Sequence, residues 1–244
     1  MLDSARSKLL ERIGPHEVVV DIGGWADPFE RADWVIDLMP YATRGLYERE
    51  EWVEPRRRET ERFTSETWLE RDICHHEPYP FDDCSVDFVV CTHTLEDIRD
   101  PIWVCSEMNR IAGAGYIEVP SRLEEQSWGV MGRPGVGWTH HRWLIDVADG
   151  GIEFAMKLHG LHARADHHFP AGFWDLLSEE DRAQGLWWEG GFSYRERLFA
   201  DEAETDGYLR DKVQDGLAAH PLPTDLASRA RRLGQRAGRR LLRG

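Results

Sequence analysis

Short runs of valine and isoleucine alternate with amphipathic stretches through the first half of the chain, the order expected of a parallel sheet covered by helices. SARSKLLERI at 4–13 predicts a short helix stopped by Gly14-Pro15. EVVVDIGG at 17–24 follows as an apolar first strand closed by Gly23 and Gly24, and WVIDL at 34–38 as a second. Further strands are predicted at 67–73 (TWLERDI), 86–91 (VDFVVC) and 115–120 (GYIEVP). Between the last two, Ile102, Cys105, Met108 and Ile111 recur at helical spacing from Asp100 onward. The strongly charged stretch 46–63 predicts an exposed helix or insertion. The class is α/β.

The pattern changes near Ser121. Glycine, tryptophan and histidine crowd 128–143, and the strand-like pieces GIEFAMKLHGL and HARADHHFP predict a meander added to the sheet. The chain is thereby divided into a cofactor half at about 14–121 and a substrate-side half at about 122–221, followed by a tail at 222–244. Residues 225–244 hold seven arginines and one aspartate, with Leu226, Ala230, Leu233, Ala237 and Leu241 on one helical stripe. Such a basic amphipathic segment suits peripheral contact with an anionic membrane, an acidic partner or the chain's own acidic body, although a solvated tail is commoner. The remainder is acidic, the whole chain carrying a formal −15, so nucleic-acid binding is not expected. With 41% hydrophobic and 31% charged residues the chain can build a core. No apolar run is long enough for a transmembrane helix, and no basic-then-apolar leader follows Met1, which predicts a cytoplasmic protein. Cys74, Cys84, Cys91 and Cys105 have no paired spacing, so neither a zinc site nor disulfides are expected.

Ligands of open α/β sheets sit outside the carboxyl ends of the strands. Four such ends carry polar groups: Asp21 to Pro28, Asp37 with Leu38, Asp72 with Ile73, and Thr92 to Asp97. Gly23 and Gly24 permit close backbone approach to a ligand. Asp37 is placed to accept hydrogen bonds from ribose hydroxyls, or, on the plainer alternative, to cap a strand end. A pyrophosphate would need a G-x-G-x-x-G loop opening a helix, and this loop is missing; Asp37 lies only thirteen positions after Gly24. A sulfonium nucleoside has no phosphates to hold.

VVVDIGGWADPFERADWVIDL, then RDICHHEPYPFDDCSVDFVVCTHTLEDIRDPIWVCSEMNRIAGAGYIEVPSR, resembles a class I S-adenosylmethionine-dependent methyltransferase of the broad methyltransferase-11 group, over residues from about 17 to 122. The resemblance implies a Rossmann-like, seven-stranded, mostly parallel sheet with helices on both faces and a C-terminal substrate-side insertion. It implies S-adenosyl-L-methionine as cofactor, with Asp21, Gly23 and Gly24 at the methionine end, Asp37 and Leu38 at the ribose, Asp72 and Ile73 at the adenine, and Thr92 and His93 beside the transferred methyl. Two departures stand out. The loop reads D-x-G-G-W without a further spaced glycine, and Asp97 stands where L-E-H is common.

Imidazole titrates near neutrality and suits proton removal from an acceptor, so His93, His141 and His140 are the candidate bases, each weighed against an ordinary structural histidine. Arg122, Arg142, Trp138 and Trp143 are candidate acceptor-binding residues; their mixture of aromatic faces and donors suits a polar small molecule such as a sugar or glycan. Histidine pairs without zinc spacing predict no metal. The rival expectation is a chain that kept the sheet and binds the cofactor, or a partner, without catalysis.

Overall fold

The computed structural model describes residues 1–46 and 58–223. Most of the charged stretch 46–63 and of the tail therefore lies outside the described residues. The helix α1 (Asp3–Arg12) leads into a six-stranded sheet of order β3-β2-β1-β4-β5-β8. Its strands are β1 (Val19–Ile22), β2 (Trp34–Asp37), β3 (Trp68–Glu70), β4 (Phe88–Thr92), β5 (Ala114–Pro120) and β8 (Ala183–Glu189). The pairings of β1 with β2 and β4, of β2 with β3 and of β4 with β5 are parallel. A 3-2-1-4-5 order of parallel strands is the Rossmann-like arrangement.

Parity along the strands divides the core. Val19, Val35, Trp68, Phe88, Val90 and Tyr116 gather with Ala5 and Leu9 of α1 and with Ile13 just after it into one apolar cluster. The alternate positions Val20, Ile22, Ile36, Val89, Cys91 and Ile117 are fully buried as well, so both faces are covered and the strands read as continuous apolar runs. The second cover includes α2 (Pro101–Ile111), whose Cys105 lies near enough to Cys91 to act with burial in pushing that thiol up. Asp100 starts α2 by accepting from Trp103 N at 2.9 Å, and Pro101 occupies the first turn, where its missing N–H costs nothing. Val104 is buried where Ile102 was expected; Ile102 is only partly covered.

Two expectations need correction. The sheet has six strands and not seven, because β6 (Trp143–Ala148), β7 (Gly151–Met156) and β9 (Ser193–Arg197) form a separate sheet of order β6-β7-β9. The strand that extends the main sheet is instead β8, where Tyr116 of β5 meets the Trp187 ring at 4.5 Å. HARADHHFP is not a strand: Arg164, pinned by ion pairs to Asp166 and Asp206, belongs to a turn after a 3-10 segment at His159–His162.

The chain divides into two compact units. Unit 1 comprises Met1–Val119, Ile145–Phe154 and Gln184–Glu196; unit 2 comprises Pro120–Leu144, Ala155–Ala183 and the chain from Arg197 onward. Unit 2 contains the short helices α3 (Arg122–Glu125) and α4 (Glu179–Arg182), and α5 (Glu202–Ala219), which buries Leu209 and Val213. Among the described residues no helix is long and apolar enough to cross a membrane.

Candidate functional site

In unit 1 the polar groups named from the sequence collect where β1, β2, β3 and β4 end. Gly23 has φ +77°, and a Cβ there would lie 2.3 Å from the Thr94 side chain. Its N–H donates to Ile36 O at 2.8 Å, while the Thr94 hydroxyl donates to Gly23 O at 3.2 Å. At Gly24 a Cβ would fall 2.2 Å from Asp21 Oδ2. Both glycines are thus demanded by the protein's own packing, and Gly23 by its positive φ as well. Asp21 is likewise turned to the loop, accepting from Phe29 N at 2.8 Å. Burial, with Asp27 and Asp37 nearby, pushes its carboxyl up to about 7 against the Phe29 hydrogen bond.

Asp37 closes β2 beside that turn. Its Oδ2 accepts from Trp25 N at 3.0 Å and its Oδ1 from Met39 N at 2.8 Å. Burial raises its pKa, and the N–H groups of Met39, Trp25 and Leu38 oppose the rise. An ionised carboxylate offers about four acceptor positions, so capacity for a ribose hydroxyl remains. Leu38 next to it is 62% exposed, an apolar side chain left bare at the strand end. Trp25 packs inward, its indole N–H donating to Thr43 O at 2.9 Å. Between β1 and β2 there is no helix, hence no helix N-terminus for a pyrophosphate.

Asp72 pairs with Arg99 at 2.6 Å and accepts from Cys74 N at 2.9 Å. Burial acts to raise its pKa, but the Arg99 and Cys74 bonds outweigh it and the net shift is downward. Ile73 is buried, so its side chain is a core residue.

Thr92 ends β4, and His93 follows in a left-handed conformation with φ +49°. The imidazole lies between two buried carboxylates, Nε2 at 3.0 Å from Glu118 Oε1 and Nδ1 at 3.6 Å from Glu96 Oε1. Burial works against the charge, yet the Glu118 and Glu96 contacts win and hold His93 up at about 9. An imidazolium at neutral pH has no lone pair to receive a proton, which corrects the expectation of His93 as a base. Glu118 is fully buried and also accepts from the Tyr116 hydroxyl at 2.7 Å and from Leu2 N at 2.9 Å. It was missed from the sequence, although a lone charge inside the apolar run GYIEVP was the available signal.

In unit 2 the acceptor-side candidates separate by burial. Arg122 is 2% exposed, donates from Nε to Gln126 Oε1 at 2.8 Å and stacks its guanidinium 4.0 Å from the Tyr208 ring centre. Trp143 is buried at the start of β6. Both are buried rather than lining a surface, which corrects their reading as acceptor-binding residues. Trp138 is half-buried, and Arg142 and His140 are exposed. His141 is held at Nδ1, 2.6 Å from Oε1 of the buried Glu125, whose Oε2 lies 2.6 Å from Lys157 Nζ. Neither Glu125 nor Lys157 was named from the sequence. Lys157 had a faint signal, being one of three lysines in a chain that takes its positive charge from arginine.

No family model and no curated protein matches the chain. Solved structures similar to it include the YcgJ protein from Bacillus subtilis, at 16% identity and a TM-score of 0.35, covering 49% of this chain and 52% of that one. An S-adenosylmethionine dependent methyltransferase from Mesorhizobium loti is similar at 16% identity and a TM-score of 0.36, over 63% of this chain and 62% of that one. Phosphoethanolamine N-methyltransferase 2 from Haemonchus contortus, solved with phosphomonomethylethanolamine and S-adenosylhomocysteine, is similar at 20% identity and a TM-score of 0.33, over 49% of this chain and 28% of that one. The chain thus spans about half the length of the first of these structures.

Proposed function

We propose that the chain is an S-adenosyl-L-methionine-dependent methyltransferase acting on an oxygen, or a nitrogen, of a polar small molecule such as a sugar or glycan. The observation that carries this reading is Asp37: a strand-end carboxylate held, among the described residues, by backbone N–H groups, beside a glycine turn and the bare Leu38. That combination suits a ribose with a purine against an apolar face. The absence of a helix between β1 and β2 weighs against a dinucleotide, and the Asp37 carboxylate disfavours a polyphosphate.

When bound, the cofactor supplies a methyl group on an electron-poor sulfur. The chain's own tasks are to clasp the ribose through Asp37, to orient the acceptor and to take its proton as the new bond forms. His93 is already protonated, so His141 is the proton acceptor in this reading, with Trp138, Arg142 and His140 on the acceptor side. Calorimetry with S-adenosylmethionine, S-adenosylhomocysteine and NAD tests the binding step: micromolar affinity for the first two and none for NAD is expected, and NAD binding alone would overturn it.

A second reading, a cofactor-binding protein without turnover, is favoured by one observation: the histidine nearest the strand ends is locked between carboxylates. Cofactor binding with no methyl transfer to a broad panel of hydroxyl and amine acceptors would select it.

A further inference from the structure

We infer that His162 and His168 form a binding pair in unit 2 for an uncharged, hydroxyl-bearing ligand, His162 donating a hydrogen bond from Nε2 and His168 accepting one at Nε2. The inference rests on the reading of the methyl acceptor as a polar small molecule and deepens it by fixing the charge class.

The tautomers follow from the kind of atom that each ring meets. Val136 N lies 3.3 Å from His162 Nδ1. A backbone N–H can only donate, so this nitrogen keeps its lone pair and the ring proton sits on Nε2. A doubly protonated His162 would lose that bond. At His168 the order is reversed, with Nδ1 3.1 Å from Phe169 O. A carbonyl oxygen can only accept, so the proton is on Nδ1. Burial lowers the His168 pKa against the Phe169 bond, with His167 acting to lower it and Asp166 to raise it, so the ring is neutral and Nε2 holds a lone pair. His162 is lowered too, by burial and then by Lys157, His168 and His159.

One tryptophan joins the two segments that carry these rings. Trp128 bridges to Val136, its N–H donates to Phe169 O at 3.1 Å, and its indole lies 5.2 Å from the His168 ring centre. Among the described residues neither Nε2 has a protein partner, and the His168 nitrogen is not enclosed. His167 shows the contrast: it is buried, with Nδ1 3.1 Å from Gly160 O and Nε2 3.3 Å from Asp206 Oδ1, so both of its nitrogens face protein. His162 and His168 each use one nitrogen for the fold and turn the other outward.

A fixed donor beside a fixed acceptor matches a hydroxyl group, which gives and takes a hydrogen bond. A carboxylate has acceptors only and would set its oxygens against the His168 lone pair. An ammonium has donors only, and it would meet the His162 N–H and the Lys157 charge that acts on His162.

Nitrogen-15 NMR of the full chain reads both rings, their signals assigned by loss in His162→Phe and His168→Phe. The probes are methyl glucoside, its glucuronide as the anion and aminoethyl glucoside as the cation. At pH 7.5 both rings should be neutral, His162 protonated on Nε2 and His168 on Nδ1. Both signals should shift with millimolar methyl glucoside and stay in place with the charged probes. Each Phe variant, followed on the remaining ring, should bind the glucoside about tenfold more weakly, the loss of one hydrogen bond. A doubly protonated ring or the opposite tautomer in either position overturns the inference. So do signals that methyl glucoside leaves unmoved, equal binding of the glucuronide, or unchanged affinity in both variants. The titration needs neither cofactor nor turnover. A failure of cofactor binding in calorimetry therefore leaves its result standing, and a failed titration leaves the cofactor reading standing.

Discussion

Asp37 in unit 1 and Glu125 in unit 2 are both buried carboxylates, but they are satisfied by different means. Asp37 is held at a strand end by the backbone N–H groups of Trp25 and Met39. Glu125 has an ammonium on one oxygen and an imidazole on the other. The first arrangement fixes direction while leaving acceptor capacity and negative charge for something not made of protein. The second uses up the carboxylate and passes its influence to a histidine. A buried acid therefore cannot be assigned a role by burial alone; what occupies its lone pairs decides.

The largest expected effect tests the frame that carries Asp37. Gly23→Ala should destabilise the fold by about 4 kcal/mol, since a positive φ on alanine costs about 1–3 and the clash with Thr94 a similar amount. Chemical denaturation of the single variant and of Gly23→Ala/Thr94→Ala measures this. Partial recovery in the double variant is expected; no recovery would mean that Thr94 is not what excludes a side chain. On the Glu125 side, Lys157→Met should cost about 3 kcal/mol, the low end for breaking a buried pair because His141 remains to take the charge. An unchanged unfolding midpoint would place Glu125 in the same class as Asp37.

A smaller effect concerns His93. Its folded pKa of about 9 stands above the usual 6.5, so the pair with Glu118 and Glu96 stabilises fully below pH 6.5 and loses its contribution as pH rises through 9. Discounted for a ring 34% exposed, this amounts to about 2 kcal/mol. The stability gap between wild type and His93→Asn, whose asparagine tolerates the positive φ, should be wide at pH 6 and close toward pH 9.5. A gap constant with pH would contradict an imidazolium at this position. The smallest effect is Arg99→Ala. Its guanidinium is exposed, so loss of the Asp72 pair should leave the unfolding midpoint close to that of wild type.

Much of unit 1 was legible in the sequence because the signal there is local. VVVDIGG, WVID and FVVC are short apolar runs that form strands wherever a parallel sheet will take them, and turns with polar residues end them. The α2 boundary was also local, marked by Asp100 and Pro101. What escaped was set by packing between distant segments. Arg122 and Trp143 carry the same side chains whether they line a surface or fill a core, and only the fold showed them buried. The sheet gained β8 rather than the histidine-rich meander, because pairing at a sheet edge is decided by which strand has a face to bury, here Trp187 and Trp188 against Tyr116 and Gly115. His93 looked like a base until Glu118, 25 residues away, was placed against it.

The central claim is that the Asp37 carboxylate clasps the ribose of an adenosyl cofactor. Isothermal titration of S-adenosylmethionine into wild type and Asp37→Ala, with folding checked by circular dichroism, tests it most directly. Micromolar binding by wild type is expected, with a loss of about 100-fold in the variant, the equivalent of about 3 kcal/mol for charge-assisted hydrogen bonds. Equal affinity in the two proteins, or no binding by a folded wild type, would contradict it.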